Sequence, residues 1–250
     1  MKTHHAPLVF SALVLLFAAG AAPGPGVAPD EALQQLQAGN ARFLAGENRH
    51  PRASAERVAS TAQQGQHPVA SILSCSDSRV PPEIVFGHGV GDLFVVRVAG
   101  NVCGDDEMGS LEYGVDHLET PLLVVMGHTQ CGAVTAAVTG AELHGHVAAL
   151  VDHIRPAVAA AQRTNPRLSG AALVPATIEA NVWESIRQLL KQSSIVRGRV
   201  AAGKLKIVGA VYHLEDGRVQ WLGPLADQTR PFPALAPSGD VPHGIPAAAH

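Results

Sequence analysis

The sequence carries no excess of basic residues. Its 18 Lys and Arg stand against 21 Asp and Glu, a formal net charge of −3. Without a positive surplus nothing drives binding to a phosphate backbone, so charge argues against a nucleic-acid-binding protein. Cysteine is scarce, three in 250 residues, which excludes a small fold stapled by disulfides. Beyond Ala22 no apolar stretch is long enough for a transmembrane helix, and no segment repeats another. Hydrophobic residues nevertheless make up 46% of the chain, enough to exclude intrinsic disorder and to bury a sizeable core. Histidine is plentiful at 13 residues, and it is both a titrating group and a common metal ligand.

The first segment reads apart from the rest. Met1-Lys2 precedes a nearly unbroken apolar run from Leu8 to Ala19, and Ala19-Gly20-Ala21-Ala22 offers small residues for cleavage. This is the pattern of a secretory signal peptide over residues 1–21. It implies an exported protein with no membrane insertion after cleavage, periplasmic if the source is a Gram-negative bacterium. No cysteine near the cleavage site offers a lipid anchor. Residues 22–29, rich in Pro, Gly and Ala, read as a linker. Five prolines between Pro231 and Pro246 mark residues 225–250 as an irregular tail.

Between these ends lies one domain, residues 30–224. Helical periodicity marks Glu31 to Leu44, Ser54 to Gln64, Glu107 to Leu118, Cys131 to Val138, Val147 to Gln162, Ala176 to Gln192 and Ser194 to Ala202. Short apolar runs at Val69–Leu73, Leu93–Val98 and Leu122–Met126 read as buried strands. Gly127 is expected to end the last of these. Leu205–Tyr212 and Arg218–Leu222 flank the turn Leu214-Glu215-Asp216-Gly217 and read as a hairpin. Apolar runs alternating with helices predict an α/β fold: a central, mainly parallel sheet flanked by helices, with an N-terminal helical arm. Such folds bind ligands beyond the carboxyl ends of their strands. Cys75, the segment from Arg97 to Asn101, and His128 all fall there.

Two short segments carry the chemistry. In Cys75-Ser76-Asp77-Ser78-Arg79, an extended backbone would set Cys75, Asp77 and Arg79 on one side, with Arg79 holding Asp77 ionised. In His128-Thr129-Gln130-Cys131, a spacing of three across a strand-to-helix turn can bring both ligands to one face. Gly127 and Gly132 permit close backbone approach on either side. Two thiolates and one imidazole form a plausible Zn²⁺ set, and three protein ligands leave a fourth position open, as in catalytic zinc sites. Taken singly, each residue has a blander reading as buried thiol or solvated imidazole. A Cys75–Cys131 disulfide would leave His128, Asp77 and Arg79 unexplained.

The pair Cys-Ser-Asp-Ser-Arg-Val (75–80) and Gly-His-Thr-Gln-Cys-Gly-Ala-Val (127–134) resembles the β-class carbonic anhydrases of the plant-like, open-site branch. The likeness extends to Leu36–Phe43, Gly91–Arg97 and Gly109–Tyr113, and spans about Asp30 to Leu222. It implies one Zn²⁺ per chain on Cys75, His128 and Cys131, and reversible hydration of CO₂ to bicarbonate and a proton by attack of zinc-bound hydroxide, a lyase activity. It implies that Asp77 accepts a hydrogen bond from the zinc-bound oxygen and that Arg79 holds Asp77. Gln66, Phe94 and Tyr113 would line the substrate pocket, some from a partner subunit, and the Gly132 N–H would orient substrate oxygen. His117, four residues after Tyr113, is a candidate proton shuttle. Where bicarbonate-inhibited members carry Trp three positions before the first cysteine, this chain has Ile72, which implies the open form. Assembly into a homodimer or homotetramer is implied, with the helix from Asp30 to Leu44 packing on a partner. A COS or CS₂ hydrolase on the same scaffold, a non-catalytic zinc scaffold and a redox protein using Cys75 and Cys131 are the rival readings. Cys103 is left over, as a buried thiol, a redox handle or half of an intermolecular disulfide.

Overall fold

The computed structural model describes residues 26–47 and 52–225. The signal peptide, half of the linker and nearly all of the tail lie outside the described residues. Among the described residues five strands form one sheet: β1 (Ala70–Ser74), β2 (Leu93–Arg97), β3 (Leu122–His128), β4 (Lys206–Tyr212) and β5 (Val219–Gly223). Their order is β2-β1-β3-β4-β5. The first four are parallel, and β5 closes the hairpin antiparallel to β4. All residues of β1 and β3 are buried, which is why both read as continuous apolar runs rather than alternations: each has helices on both faces.

The helices are α1 (Pro29–Leu44), α2 (Ala55–Gln64), α3 (Pro82–Val85), α4 (Asp105–Glu112), α5 (Gly132–Thr139), α6 (Val147–Asp152), α7 (Arg155–Thr164), α8 (Val174–Gln192) and α9 (Ser194–Ala201). On one face of the sheet, Leu73, Leu123, Val125 and Ile207 pack with Ile178, Val182, Ile186 and Leu189 of α8. On the other, Ile72, Val124, Met126 and Val208 pack with Ala32 and Leu36 of α1 and with Phe86. Successive residues of β3 thus serve opposite cores, as the period of two demands.

The N-terminal helix, expected to pack on a partner, also has a seat on its own sheet. Gly39 lies so close to α3 that a Cβ would stand 1.8 Å from the Phe86 carbonyl oxygen. The buried Asn40 amide donates to the carbonyls of Val85 and Gly217, and its oxygen accepts from the Val219 N–H. The buried face of α1 is therefore taken up within one chain.

Three local readings also shift. The helix expected over Val147–Gln162 is broken between α6 and α7, because Pro156 has no N–H to continue the ladder and its ring clashes with the preceding turn. The helix after Asp105 widens into a π turn over Tyr113–His117, with Leu118 N–H bonding the Tyr113 carbonyl at 3.2 Å. Gly127 does not end β3, which runs on to His128. Its missing Cβ instead admits α8, since an added carbon would lie 3.0 Å from Val182 Cγ2.

The chain passes from β1 to β2 on one side and then to β3 on the other. The crevice at such a reversal opens beyond the carboxyl ends of the two central strands. Cys75 directly follows β1, and His128 is the last residue of β3.

Candidate metal centre

Cys75, His128 and Cys131 converge in that crevice. Their donor atoms all lie within 4.8 Å of one another, and all three residues are buried. A tetrahedral zinc ion with Zn–S about 2.3 Å and Zn–N about 2.0 Å sets its ligand atoms roughly 3.5–4 Å apart, so the set fits such an ion. Gln130 adopts φ +56°, a left-handed conformation that folds His128 and Cys131 toward each other across the strand-to-helix turn. Gly132 opens α5 and is exposed; a Cβ there would meet nothing within 4 Å in its own chain. Close approach within the chain therefore requires Gly127 and not Gly132.

The imidazole is set for ligation. His128 Nδ1 lies 2.8 Å from the Thr129 carbonyl oxygen, which can only accept, so Nδ1 carries the proton. Nε2 is then the ring nitrogen left to offer a lone pair to a metal. It is fully buried and has no hydrogen-bond partner among the described residues, an arrangement that is costly unless an electrophile occupies the space before it. The sulfurs make the same point. Cys75 is drawn down to about 4, chiefly by a hydrogen bond from the Cys131 thiol, against the cost of burial and with help from the Gly100 N–H. Cys131 is pushed up by that same partner and by burial. Without a cation only one of the pair ionises; a divalent ion between them stabilises both as thiolates.

Asp77 stands at the mouth, with Oδ2 3.8 Å from His128 Nε2. Arg79 grips it three times: its backbone N–H and Nε donate to Oδ1 at 2.9 and 3.0 Å, and Nη2 donates to Oδ2 at 2.7 Å. This fork holds the Asp77 carboxyl well below the usual carboxylate range, the Arg79 side-chain bond being the largest cause. The pairing does not arise from strand alternation as the sequence suggested. The chain turns at Ser78-Arg79, and the turn brings Arg79 back onto Asp77.

Two further supports had no role assigned from the sequence. Arg97, at the end of β2, donates Nε to the Cys75 carbonyl and Nη2 to the Asp77 carbonyl. The sequence set it at a strand end beside the expected site and within the family likeness, but nothing in the pattern named its partners. Glu215, in the β4–β5 turn, accepts from Thr129 Oγ1 and Gln130 Nε2 at 2.9 and 2.8 Å. No local pattern announced that contact.

The proposed pocket residues lie elsewhere in the chain. Phe94 on β2 is in register with Ser71, and four residues of strand, roughly 13 Å, separate Ser71 from Cys75. Tyr113 stacks near Phe94 at 6.0 Å between ring centroids, and His117 near Tyr113 at 5.1 Å. Gln66 is exposed just before β1, at the amino end of the strands. A single chain thus holds Gln66, Phe94, Tyr113 and His117 away from its own Cys75, His128 and Cys131. Cys103 is also separate: it is buried, and burial pushes its thiol up to about 12. All three cysteines are free.

Known proteins resemble the chain throughout this region. A sequence profile of the carbonic anhydrase family matches residues 70–219. Carbonic anhydrase 2 of Mycobacterium tuberculosis is 41% identical over 198 residues, covering 78% of this chain and 93% of that protein. A carbonic anhydrase of Mycolicibacterium smegmatis is 40% identical over 207 residues, covering 81% and 98%. Among solved structures, the β-carbonic anhydrase CcaA matches with TM-score 0.61 and 26% identity over 78% of this chain and 93% of its own. A Coccomyxa β-carbonic anhydrase in complex with acetazolamide matches with TM-score 0.61 and 29% identity over 67% and 78%. With the fold, the profile match and relatives at this identity in agreement, the chain belongs to the β-class carbonic anhydrases, zinc enzymes that interconvert CO₂ and bicarbonate.

Proposed function

We propose that Cys75 Sγ, His128 Nε2 and Cys131 Sγ hold the zinc ion of this carbonic anhydrase, and that Asp77 and Arg79 are its catalytic pair. The observation that carries the assignment is the buried His128 Nε2, without a hydrogen-bond partner among the described residues, beside two buried sulfurs. Zinc, when bound, supplies Lewis acidity that makes water a nucleophile near neutral pH. The protein residues do the rest. Asp77 accepts a hydrogen bond from the nucleophilic water and orients its lone pair toward carbon. Arg79 occupies both Asp77 oxygens, so the carboxylate stays ionised and is a poor final acceptor for the released proton. The same grip, with Ile72 in place of a bulky indole, supports the open form, with Asp77 outside the ligand set. The Gly132 N–H, at the start of α5, orients a substrate oxygen.

Relatives named as carbonic anhydrases at about 40% identity favour CO₂ over COS or CS₂ as substrate, and enzyme over scaffold. The Asp77–Arg79 fork also favours an enzyme, since a structural zinc site requires only ligands.

We further propose that Gln66, Phe94 and Tyr113 serve the site of a second copy, with His117 passing the proton outward beside Tyr113. Tyr113 is 47% exposed although it stacks near Phe94, and α2 buries none of its residues in its own chain. Both leave surface for self-association. The apolar run at Leu8–Ala19 supports export through a cleaved signal peptide, which N-terminal sequencing of the secreted protein tests.

The central assignment is tested by stopped-flow CO₂ hydration on zinc-quantified protein. Asp77→Ala is expected to keep about one zinc per chain and lose hydration. Cys75→Ser is expected to lose zinc. Full activity in Asp77→Ala would overturn the role given to the carboxylate.

A further inference from the structure

Helix α8 buries one face in the core, and that face is apolar except for a few positions. Thr177 bonds back to the Leu173 carbonyl of its own turn. Asn181 and Ser185, one turn apart, are 1% and 3% exposed in the middle of the face. A buried amide and hydroxyl are tolerated only where they are bonded, and their partners are consecutive carbonyls of a single loop. Asn181 Nδ2 donates to Gly100 O at 2.6 Å, and Ser185 Oγ donates to Asn101 O at 2.8 Å. Ser185 also reaches its own helix at Asn181 O, at 3.1 Å. Its hydroxyl therefore has a local acceptor and still makes the shorter contact to the loop.

The loop follows β2 and holds an unusual backbone. Gly100 has φ +72° and Asn101 φ +45°, two left-handed residues in succession, the second not glycine. Such a pair persists only when its surroundings hold it. Its result is that Gly100 turns its N–H onto Cys75 Sγ at 3.3 Å and its carbonyl toward α8. Gly100 is also walled in on its open side. An added Cβ would lie 2.8 Å from Ile154 Cδ1 and 3.2 Å from Ala133 Cβ.

We infer that Asn181 and Ser185 are positioning residues for the metal centre, holding the Gly100–Asn101 turn so that the Gly100 N–H is aimed at the Cys75 sulfur. An N–H on a ligating sulfur reduces the negative charge it presents to the metal. Outer-shell contacts of this kind commonly alter metal affinity 10–100-fold when removed. The inference rests on Cys75 being a zinc ligand.

The experiment compares Asn181→Leu, Ser185→Ala and Ser185→Thr with the unmodified protein, each as isolated with zinc. Ser185→Thr keeps the hydroxyl, and Ser185 lines a cavity together with Cys103. Three quantities are read: the rate of zinc release to a chelator, the thiolate-to-metal charge-transfer band after cobalt substitution, and the unfolding temperature of the metal-free form. Asn181→Leu is expected to release zinc at least about tenfold faster and to shift the cobalt band. Ser185→Ala is expected to move the same way by a smaller factor, and Ser185→Thr to behave as the unmodified protein. Should Asn181→Leu not fold, the Ser185 pair decides. Unchanged zinc release and cobalt band, with only the unfolding temperature lowered, would reduce both residues to core packing and overturn the inference. Cys75→Ser is measured alongside: zinc retained as tightly as in the unmodified protein would instead break the ligand assignment on which the inference rests.

Discussion

Arg97 Nη2 lies 2.6 Å from the carbonyl oxygen of Asp77, while its Nε reaches the carbonyl of Cys75 at 3.1 Å. One guanidinium thus spans the segment that supplies both Cys75 and the Asp77 carboxylate at the mouth. A lysine ammonium at this position has no fork and cannot make both bonds in the same geometry. A hydrogen bond involving a charged group contributes about 1.5–3 kcal/mol. Arg97→Lys is therefore expected to lower kcat/KM for CO₂ hydration by about tenfold or more at pH 7.5–8.5, measured by stopped flow with zinc content held equal. Unaltered kinetics would show that the Arg79 fork and the strand end suffice to place Asp77.

Zinc removal acts on stability as well as on activity. Two sulfurs and an imidazole crowded into a buried crevice are held together more favourably with a cation among them. Dialysis against a chelator is expected to abolish hydration and to lower the unfolding temperature by roughly 10 °C. Stoichiometric zinc is expected to restore both. Calorimetry of the metal-free and reloaded forms checks this.

Glu215 clasps the turn between the two C-terminal ligands. Its carboxyl is lowered from the usual 4.5, first by its own backbone N–H and then by Gln130 and Thr129. Because the folded value lies below the unfolded one, its contribution is present above pH 4.5 and is lost as the pH falls through the lower folded value. Glu215→Gln keeps one acceptor oxygen and loses the charge. The two proteins are expected to differ in urea midpoint at pH 7 and to converge once the pH falls below the lowered folded value. A difference independent of pH would mean that the carboxylate charge plays no part.

Cys103 is buried, and its thiol is pushed up to about 12. At pH 8 it is almost wholly protonated, so it is a poor nucleophile as well as an inaccessible one. Alkylation of the zinc-loaded protein, followed by mass spectrometry, is expected to leave Cys103 unmodified over the time in which an unfolded sample reacts completely. Rapid labelling of the native protein at Cys103 would disprove its burial.

Tyr113 and Gln66 are placed away from the metal ligands of their own chain, so their contribution is expected across an interface. Tyr113→Ala and Cys75→Ser, each impaired alone, are expected to regain hydration when unfolded together and refolded. A mixed assembly contains an intact zinc set in one chain and an intact Tyr113 in the other. Activity no greater than the sum of the two parents would exclude shared sites.

Much of this arrangement was legible in the linear chain. The parallel strands announced themselves as short apolar runs, because burial on both faces removes any need for polar residues. Cys75 and His128 were marked by their position at strand ends, where α/β sheets open. His128 and Cys131 were joined by a three-residue spacing that one tight turn can close. These are local rules that act over a few residues, and sequence expresses them directly.

Other features depend on residues brought together from distant parts of the chain. Arg79 meets Asp77 through a turn rather than through strand alternation, because the chain leaves the sheet after Ser74. The seat of α1 depends on Gly39 meeting Phe86 and on Asn40 meeting Gly217, 177 positions away. The tautomer of His128, the clasp of Glu215 and the hold of Asn181 on Gly100 are all hydrogen bonds whose partners become adjacent only once the sheet and α8 are packed. By itself the sequence determined the fold class, the metal ligands to be expected and the order in which they lie at the strand ends. The tertiary structure decided which atoms face them and how they are held, because hydrogen-bond geometry varies over tenths of an ångström and no residue pattern encodes distance at that scale.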